Sequence, residues 1–420
     1  MAPTPVPSPV PSPEPTSSST PSAIVATPTP AASAAPAATV PAYLTAVAVK
    51  VPSGAATGPL ARLRTLFAPP GFQVSVFAAG LGSPRWLAFS PEGVLFASIP
   101  SSIPSEGRVV ALPDRNKDGV ADAAITVVDS LYQPHGLAFF GRALFVAENQ
   151  RVIRVSYDPK AAEPRATRVQ TIVPNLPTDG EHWTRTITFG PDGKLYVSAG
   201  SSCNACVEDD SRRAAITQYN ADGTGERVFA KGLRNSVGLT WRPGNSELWA
   251  TDNGRDYLGD DLPPDEINLI RDGADYGWPY CYGNRVPDPE LGSAARCAST
   301  QPPAVALPAH SAPLGLVFYS GTQFPAQYRG DLFVAYHGSW NRTVPTGYKL
   351  VRVRMSGGKP TGEVQDFVVG WLDGGSAWGR PVDPVDGPDG SLYLSDDSAG
   401  VIYRISYTGG ASTSTQTSGG

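Results

Sequence analysis

Charge is scarce in this chain: Asp, Glu, Lys and Arg make up 17% of its 420 residues, below the ~25% of an average soluble protein. The net charge of −5 offers no electrostatic footprint for nucleic acid. No apolar run approaches the ~18 residues that a membrane-spanning helix requires. No basic-then-apolar N-terminal pattern marks a signal peptide in this chain. Collagen-like periods and coiled-coil heptads are also missing, and no long amphipathic helix with capping residues is visible, which argues against a parallel α/β fold. These absences leave a neutral small molecule, a sugar or a cofactor as the expected partner, with no nucleic acid and no transmembrane segment. No long exposed apolar run marks an oligomeric interface, so a monomer is expected.

Turn formers, by contrast, are dense: 44 Gly and 43 Pro. Fourteen of the prolines fall in the first sixty residues, where Glu14 and Lys50 are the only charges. Residues 1–65 therefore read as a disordered Pro/Ser/Ala-rich spacer, and 409–420 as a disordered tail. Such a spacer suits an exported domain held away from a cell surface: periplasmic, tethered or secreted. The four cysteines form two local pairs, Cys203/Cys206 and Cys281/Cys297. Disulfides are preferred over zinc, because the second spacing departs from a zinc ribbon and an exported chain meets oxidising conditions.

From about residue 66 to residue 408 a unit of apolar run, Gly-centred turn and alternating run recurs. Its turns are centred on Gly93, Gly141, Gly193, Gly244, Gly330 and Gly390, at spacings of about 48, 52, 52, 85 and 60 residues. Gly with Asn or Asp supplies the positive φ of hairpin turns, and the spacing approaches the ~40–50 residues of propeller blades. The sequence predicts an all-β, six-bladed β-propeller with four-stranded antiparallel blades. The wide gap reads as an insertion over about 255–310 that contains Cys281 and Cys297. A Pro-Asp-Gly turn is ordinary hairpin chemistry and says nothing of function by itself.

In a propeller, function sits where the loops entering the innermost strands converge at one channel mouth. All four histidines, His135, His182, His310 and His337, fall in or beside such loops. A single histidine at a strand end is commonly structural; four converging are less easily dismissed. Arg234 and Asn235 enter a strand side by side, able to offer charge and amide donors to an anionic ligand. The stretch from Asp252 to Glu266 supplies oxygens suited to calcium, and Arg342 and Arg380 add positive charge. Asp114 to Asp122 opens like an EF-hand loop, yet Ile125 stands where the bidentate acid belongs and the flanks are strands, so an Asp-rich turn is preferred. Trp183, Trp278 and Trp340 are candidates for stacking on a sugar or a planar cofactor, with blade packing the plain alternative.

In order along the chain, the His182 segment through GPDGKLYVSAG, then GLRNSVGLTW, then NGRD with DEINLI and GADYGWP resemble the soluble pyrroloquinoline quinone (PQQ) dependent sugar dehydrogenases. That family includes glucose, aldose and L-sorbosone dehydrogenase-like proteins, and the pattern here is most similar to the sorbosone branch. The resemblance runs from about Pro69 to Tyr407. It implies a PQQ- and calcium-dependent oxidoreductase acting on a sugar hemiacetal, aldehyde or alcohol, with electrons passed to an external quinone, dye or cytochrome. By position it implies His182 as general base, Glu181 as a cofactor-contacting acid, and Arg234 with Asn235 against the quinone carbonyls. Gly254 and Arg255 match the turn that offers backbone carbonyls to calcium, and Asp265 with Glu266 match an acidic pair near structural calcium. Arg380 matches an arginine for the PQQ carboxylates, Arg85 faces the same mouth, and His337 or Arg342 stands where glucose enzymes use a lysine. The chain departs from the family at GSSCNAC and at YHGSWNR. The chemistry agrees with the residues: an imidazole takes the hydroxyl proton while hydride leaves, and fixed positive charge stabilises the developing oxyanion. The rival readings are a calcium-dependent sugar lactonase on the same scaffold and a non-catalytic extracellular binding propeller.

Overall fold

The computed structural model describes residues 40–409. Six four-stranded antiparallel sheets follow one another along the chain, each numbered here as a blade from the channel outward. Blade 1 comprises Leu87–Phe89, Leu95–Ile99, Gly107–Leu112 and Ile125–Leu131, and blade 2 comprises Leu137–Phe140, Ala143–Glu148, Arg151–Tyr157 and Ala166–Val173. Blade 3 comprises Arg185–Phe189, Leu195–Ala199, Ala215–Tyr219 and Arg227–Lys231; blade 4, Leu239–Trp241, Leu248–Asp252, Asp265–Ile270 and Val305–Leu307. Blade 5 comprises Pro313–Phe318, Leu332–Tyr336, Lys349–Ser356 and Lys359–Val368. Blade 6 takes Pro381–Asp386, Leu392–Asp396 and Val401–Tyr407 from the end of the chain and its outer strand, Phe72–Ala78, from the beginning.

Local chemistry explains the hairpins. The six glycines read as turn centres join the first and second strands of their blades, and all have φ between 59° and 82°, a region where a Cβ is disfavoured. Inner strands of successive blades touch in a ring that closes from blade 6 back to blade 1. Three of them carry Gly-Leu at or near their start, Gly136-Leu137, Gly238-Leu239 and Gly315-Leu316, because the neighbouring inner strand passes very close. A Cβ on Gly136 would lie 2.7 Å from Arg185 O, one on Gly238 2.1 Å from Leu314 O, and one on Gly315 2.2 Å from Asp383 Oδ1. Apolar faces meet between blades rather than around one centre; Phe96 and Val109 of blade 1 pack with Leu144 and Ile153 of blade 2.

Two boundaries differ from those expected. The reading of 1–65 as spacer extends too far, since Thr45–Ala48 pairs with Thr65–Ala68 and Lys50 bonds through its backbone to Val74 and Val76 of the closing strand. Leu44, Val49 and Leu60 are buried there, which supplies apolar contact that proline counting overlooks. Residues 1–39 and 410–420, and with them the rest of the spacer and nearly all of the expected tail, lie outside the described residues. The insertion expected over about 255–310 contains two strands of blade 4; the added segment proper is 271–304, closed by the Cys281–Cys297 disulfide. Cys203 and Cys206 form the second disulfide, and among the described residues no cysteine is free. No helix among them is long and apolar enough to cross a membrane. Asp114 accepts the N–H groups of Asp118 and Gly119 in a tight Asp-rich turn between strands.

Candidate active site

Antiparallel register brings the start of every inner strand and the end of every second strand to the same mouth, as in Arg185 opposite Ala199 and Pro381 opposite Asp396. His182 stands just before the inner strand of blade 3. Its Nδ1 lies 2.9 Å from Ser201 O and 3.0 Å from Ser201 Oγ. Nδ1–H donating to the carbonyl leaves a lone pair on Nε2, which has no protein partner among the described residues. Burial pushes the imidazole down to about 3, with the Arg234 charge adding to the effect, so it is neutral across the physiological range. Two guanidiniums hold its backbone: Arg185 Nη1 donates to His182 O at 2.9 Å, and Arg213 Nη1 reaches His182 O at 3.3 Å and Gly200 O at 3.2 Å. A Cβ on Gly200 would lie 2.7 Å from His182 Cβ and 2.5 Å from Asn235 Oδ1. The missing side chain therefore lets His182 and Asn235 stand next to one another, and Asn235 Oδ1 is buried without a hydrogen-bond partner.

The depressed His182 value has a consequence for stability. Between about pH 6.5 and pH 3 an unfolded chain binds a proton here that the folded chain refuses, so this group makes stability fall as pH drops through that window. The His182→Gln variant is expected to lose less Tm than its parent between about pH 7 and about pH 4, measured by thermal melts.

Arg234 is buried and held on every side. Nε donates to Asn204 O at 3.0 Å, Nη1 to Gly254 O at 2.8 Å, and Nη2 to Asn204 Oδ1 at 2.9 Å and Asp256 Oδ2 at 3.1 Å. Asp252 fixes the backbone below it, accepting from Arg234 N at 3.0 Å and Asn235 N at 2.7 Å. Across the mouth, Asp397 accepts from His337 Nε2 at 2.9 Å and from Arg85 Nη1 at 2.5 Å. Burial alone would raise Asp397; His337, then Arg85 and Arg380, outweigh it and hold this carboxyl well below its usual range. Burial takes His337 down to about 4 against the pull of Asp397. Arg380 donates through Nε to His337 O at 3.1 Å and through Nη2 to Gly338 O at 2.8 Å. Its Nη1 has no protein partner among the described residues.

Other expected site residues stand apart from this group. Arg342 is tied to the 259–261 loop, donating to Asp260 O at 2.7 Å and to Asp261 Oδ1 at 2.8 Å, so of the pair His337 and Arg342 it is the histidine that meets Arg380. The Glu181 side chain is exposed and makes no hydrogen bond among the described residues. Arg255 directs its side chain to Asp288 at 2.7 Å and Glu290 at 2.8 Å, leaving its carbonyl without a donor. Asp265 and Glu266 are buried, and burial pushes each up to about 7. Asp265 accepts from Gly254 N at 2.9 Å and Ala312 N at 3.0 Å, and Glu266 from Gly283 N at 2.8 Å. Asp265 thus holds the turn that carries the Gly254 and Arg255 carbonyls, and Glu266 holds the Gly283 backbone of the added segment and Asn268. The only His/Cys/Asp/Glu grouping close enough for a metal among the described residues is Cys203, Cys206 and Glu208, and both sulfurs are in a disulfide. His135 is enclosed between Trp86 and Trp183, at centroid distances of 5.0 and 5.6 Å, and His310 Nε2 bonds Gly259 O at 2.9 Å.

Ser201, Asn204, Arg213 and Asp397 are the site residues that the sequence did not single out, and Asp252, expected among the calcium oxygens, accepts from the Arg234 and Asn235 backbone. The assembled mouth joins an unprotonated histidine face, an orphaned amide oxygen, a fixed buried cation and a second guanidinium with a free edge. The free Nη1 of Arg380 and the Arg234 charge suit an anionic group, whereas His182 Nε2 and Asn235 Oδ1 are acceptors that suit a hydroxyl or N–H donor. Of the two adjacent carbonyls, Gly254 O already accepts from Arg234 Nη1 at 2.8 Å and has one lone pair left, while Arg255 O is an open oxygen of the kind a hard cation takes.

A model of the TrAA12-like family matches residues 66–408. An uncharacterized protein of Borreliella burgdorferi is 32% identical over 358 residues, spanning 82% of this chain and 91% of the relative. A pyrroloquinoline quinone-dependent pyranose dehydrogenase of Coprinopsis cinerea is 26% identical, spanning 80% of this chain and 54% of the relative. The chain therefore aligns with about half the length of that dehydrogenase. The calcium structure of a Trichoderma reesei carbohydrate-active enzyme of family AA12 has the same fold, with a TM-score of 0.70 at 23% identity over 81% of this chain and 96% of that one. From just before the closing strand to the last strand of blade 6, with one relative above 30% identity across most of both chains, the chain belongs to the TrAA12-like family.

Proposed function

We propose that this protein is a PQQ- and calcium-dependent dehydrogenase that oxidises a sugar at a hemiacetal, aldehyde or alcohol carbon. The observation that carries the reading is the His182 anchor: Nδ1 is committed to Ser201, which leaves Nε2 as an unpartnered acceptor. The PQQ-dependent relative from Coprinopsis cinerea and the calcium structure from Trichoderma reesei support it. Arg380 would hold a carboxylate through its free Nη1, with His337 lining the cofactor beside it, Asn235 and the Arg234 charge would lie against the quinone carbonyls, and the Arg255 carbonyl, with the second lone pair of Gly254 O, would take the calcium. When bound, PQQ supplies an electrophilic carbonyl carbon that accepts hydride. His182 accepts the substrate hydroxyl proton at Nε2, and the bond from Nδ1–H to Ser201 O stabilises the imidazolium that results. Arg234 contributes positive charge already in place, with no rearrangement during the reaction.

The lactonase alternative needs carboxylates from several blades aimed at one ion, but Asp252, Asp265, Glu266 and Asp397 are each bound to N–H donors of the protein. The sorbosone-type substrate, an external electron acceptor, a monomeric state and an exported location complete the proposal, and two disulfides suit an oxidising compartment. Of the three tryptophans, Trp340 is 69% exposed, with Tyr257 6.1 Å away edge-on, and is the one free to stack on a sugar ring. Trp340→Ala is expected to raise KM about tenfold with kcat within about twofold, a loss of roughly 1.4 kcal/mol of binding common to ground and transition states. Steady-state kinetics on a sugar panel checks this.

The function is tested by titrating apoprotein with PQQ and calcium, then adding an aldose panel with an artificial electron acceptor while following the quinone spectrum. Saturable binding and sugar-dependent reduction are expected. No binding of PQQ in the presence of calcium would overturn the proposal.

A further inference from the structure

The loop after the second strand of blade 3 reads Ser201-Ser202-Cys203-Asn204-Ala205-Cys206, and its disulfide joins residues only three apart. Enclosed within that small ring is Asn204. Its carbonyl accepts from Arg234 Nε at 3.0 Å and its Oδ1 from Arg234 Nη2 at 2.9 Å, so one residue grips two nitrogens of the guanidinium. The same Oδ1 accepts from Asp256 N at 2.7 Å, Nδ2 donates to Asp256 O at 3.2 Å, and Trp278 Nε1 donates to Asn204 O at 3.3 Å. The loop also reaches the histidine: Ser201 Oγ donates to Cys203 O at 2.6 Å, and Ser201 O is the acceptor for His182 Nδ1.

A guanidinium has five N–H donors, and the side chain of Arg234 is 5% exposed. Removing the two Asn204 acceptors would leave buried donors unsatisfied, which the side chain can relieve only by turning. Holding both acceptors at fixed positions on a short loop opposes backbone entropy, and a covalent cross-link inside the loop removes the competing conformations. None of the other acceptors of Arg234 lies on a cross-linked loop.

We infer that Asn204, braced by the Cys203–Cys206 disulfide, is the positioning residue for Arg234, so that the redox state of this cystine governs the geometry of the site. A dithiol reductant supplies the chemistry: it delivers two electrons and two protons to the S–S bond, giving two thiols, and itself closes to a cyclic disulfide. The effect on turnover rests on the function proposed above, whereas the grip on Arg234 is a property of the apoprotein.

The apoprotein is therefore measured first, by water exchange at the Arg234 Nε–H resonance in proton–nitrogen NMR, identified by its loss in Arg234→Lys. Slow exchange is expected in the oxidised protein. At least tenfold faster exchange is expected in Asn204→Ala, in the double variant Cys203→Ser/Cys206→Ser and in wild-type protein reduced with dithiothreitol. Asn204→Asp, which keeps both acceptors, should exchange as slowly as the parent, and Cys281→Ser/Cys297→Ser should leave this resonance unchanged. In holoenzyme, Asn204→Ala should lower kcat about tenfold with little change in KM, and adding the Cys203/Cys206 double variant should lower it no further. Slow exchange retained in both Asn204→Ala and the reduced wild type would overturn the inference. If the Cys203/Cys206 variant does not fold, dithiothreitol titration of the folded wild type provides the same comparison. Exchange that responds as expected in a protein that binds no PQQ would sink the proposed function and leave the brace standing; sugar oxidation with unresponsive exchange would do the reverse.

Discussion

Replacing His182 with alanine is expected to reduce turnover by about 10²- to 10⁴-fold, the usual contribution of a positioned general base, while PQQ still binds within a few-fold of wild-type affinity. The separation of effects follows from the geometry. His182 gives its Nδ1 to Ser201, and its Nε2 has no duty in holding the protein together. The group suited to a carboxylate, Arg380, precedes the inner strand of blade 6 and has no hydrogen bond to His182. Stopped-flow reduction of holoenzyme by substrate, beside a fluorescence titration of apoprotein with PQQ, distinguishes chemistry from binding. Unchanged turnover would remove His182 as the base and transfer attention to His337, whose Nε2 is held by Asp397 and whose Nδ1 is the open nitrogen.

Arg380→Ala should show the opposite pattern: PQQ affinity falls about 10- to 100-fold, while turnover at saturating PQQ is less affected. A hydrogen bond to a charged group contributes roughly 1.5–3 kcal/mol, and each ~1.4 kcal/mol is a factor of ten. Arg380 also donates to the carbonyls of His337 and Gly338, so part of the loss would come from a displaced His337. Arg380→Lys separates the contributions, since it keeps the charge but lacks the fork that reaches both carbonyls. An affinity restored by lysine assigns the role to charge; one that is not restored assigns it to the fork. A wild-type titration curve for the alanine variant would remove Arg380 from the site.

The architecture was legible because hairpins are local. Gly93, Gly193 and Gly390 announce positive φ in the sequence and adopt it in the structure, and their spacing counts blades. That His182, Arg234, Asn235 and Arg380 would stand at one mouth was legible because loops before inner strands converge in a closed ring, and His337 reaches it from the end of a second strand, Leu332–Tyr336. Their partners were not. Ser201 lies 19 residues beyond His182 across the blade 3 hairpin, and Asp397 lies 312 beyond Arg85, so the first bond depends on the hairpin register and the second exists only once the ring is shut. Arg213 reads as one more surface charge in DSRRAA, yet inter-strand packing buries it behind the histidine. The carboxylates of Asp265 and Glu266 are countable in the sequence, but the N–H groups of Gly254, Ala312 and Gly283 that they accept are not.

Blade 6 gives the chain an unusual dependence on its own two ends. Phe72–Ala78 is made more than 300 residues before its partner Val401–Tyr407, so the ring cannot shut until that distant strand has been made. Such high contact order slows folding and leaves unpaired strand edges exposed meanwhile. Losing the last strand would therefore strand Phe72–Ala78 as well. Conversely, a circular permutant opened at the Gly330 turn, with the old ends joined, would make blade 6 a continuous local unit and is the version of this protein expected to refold fastest.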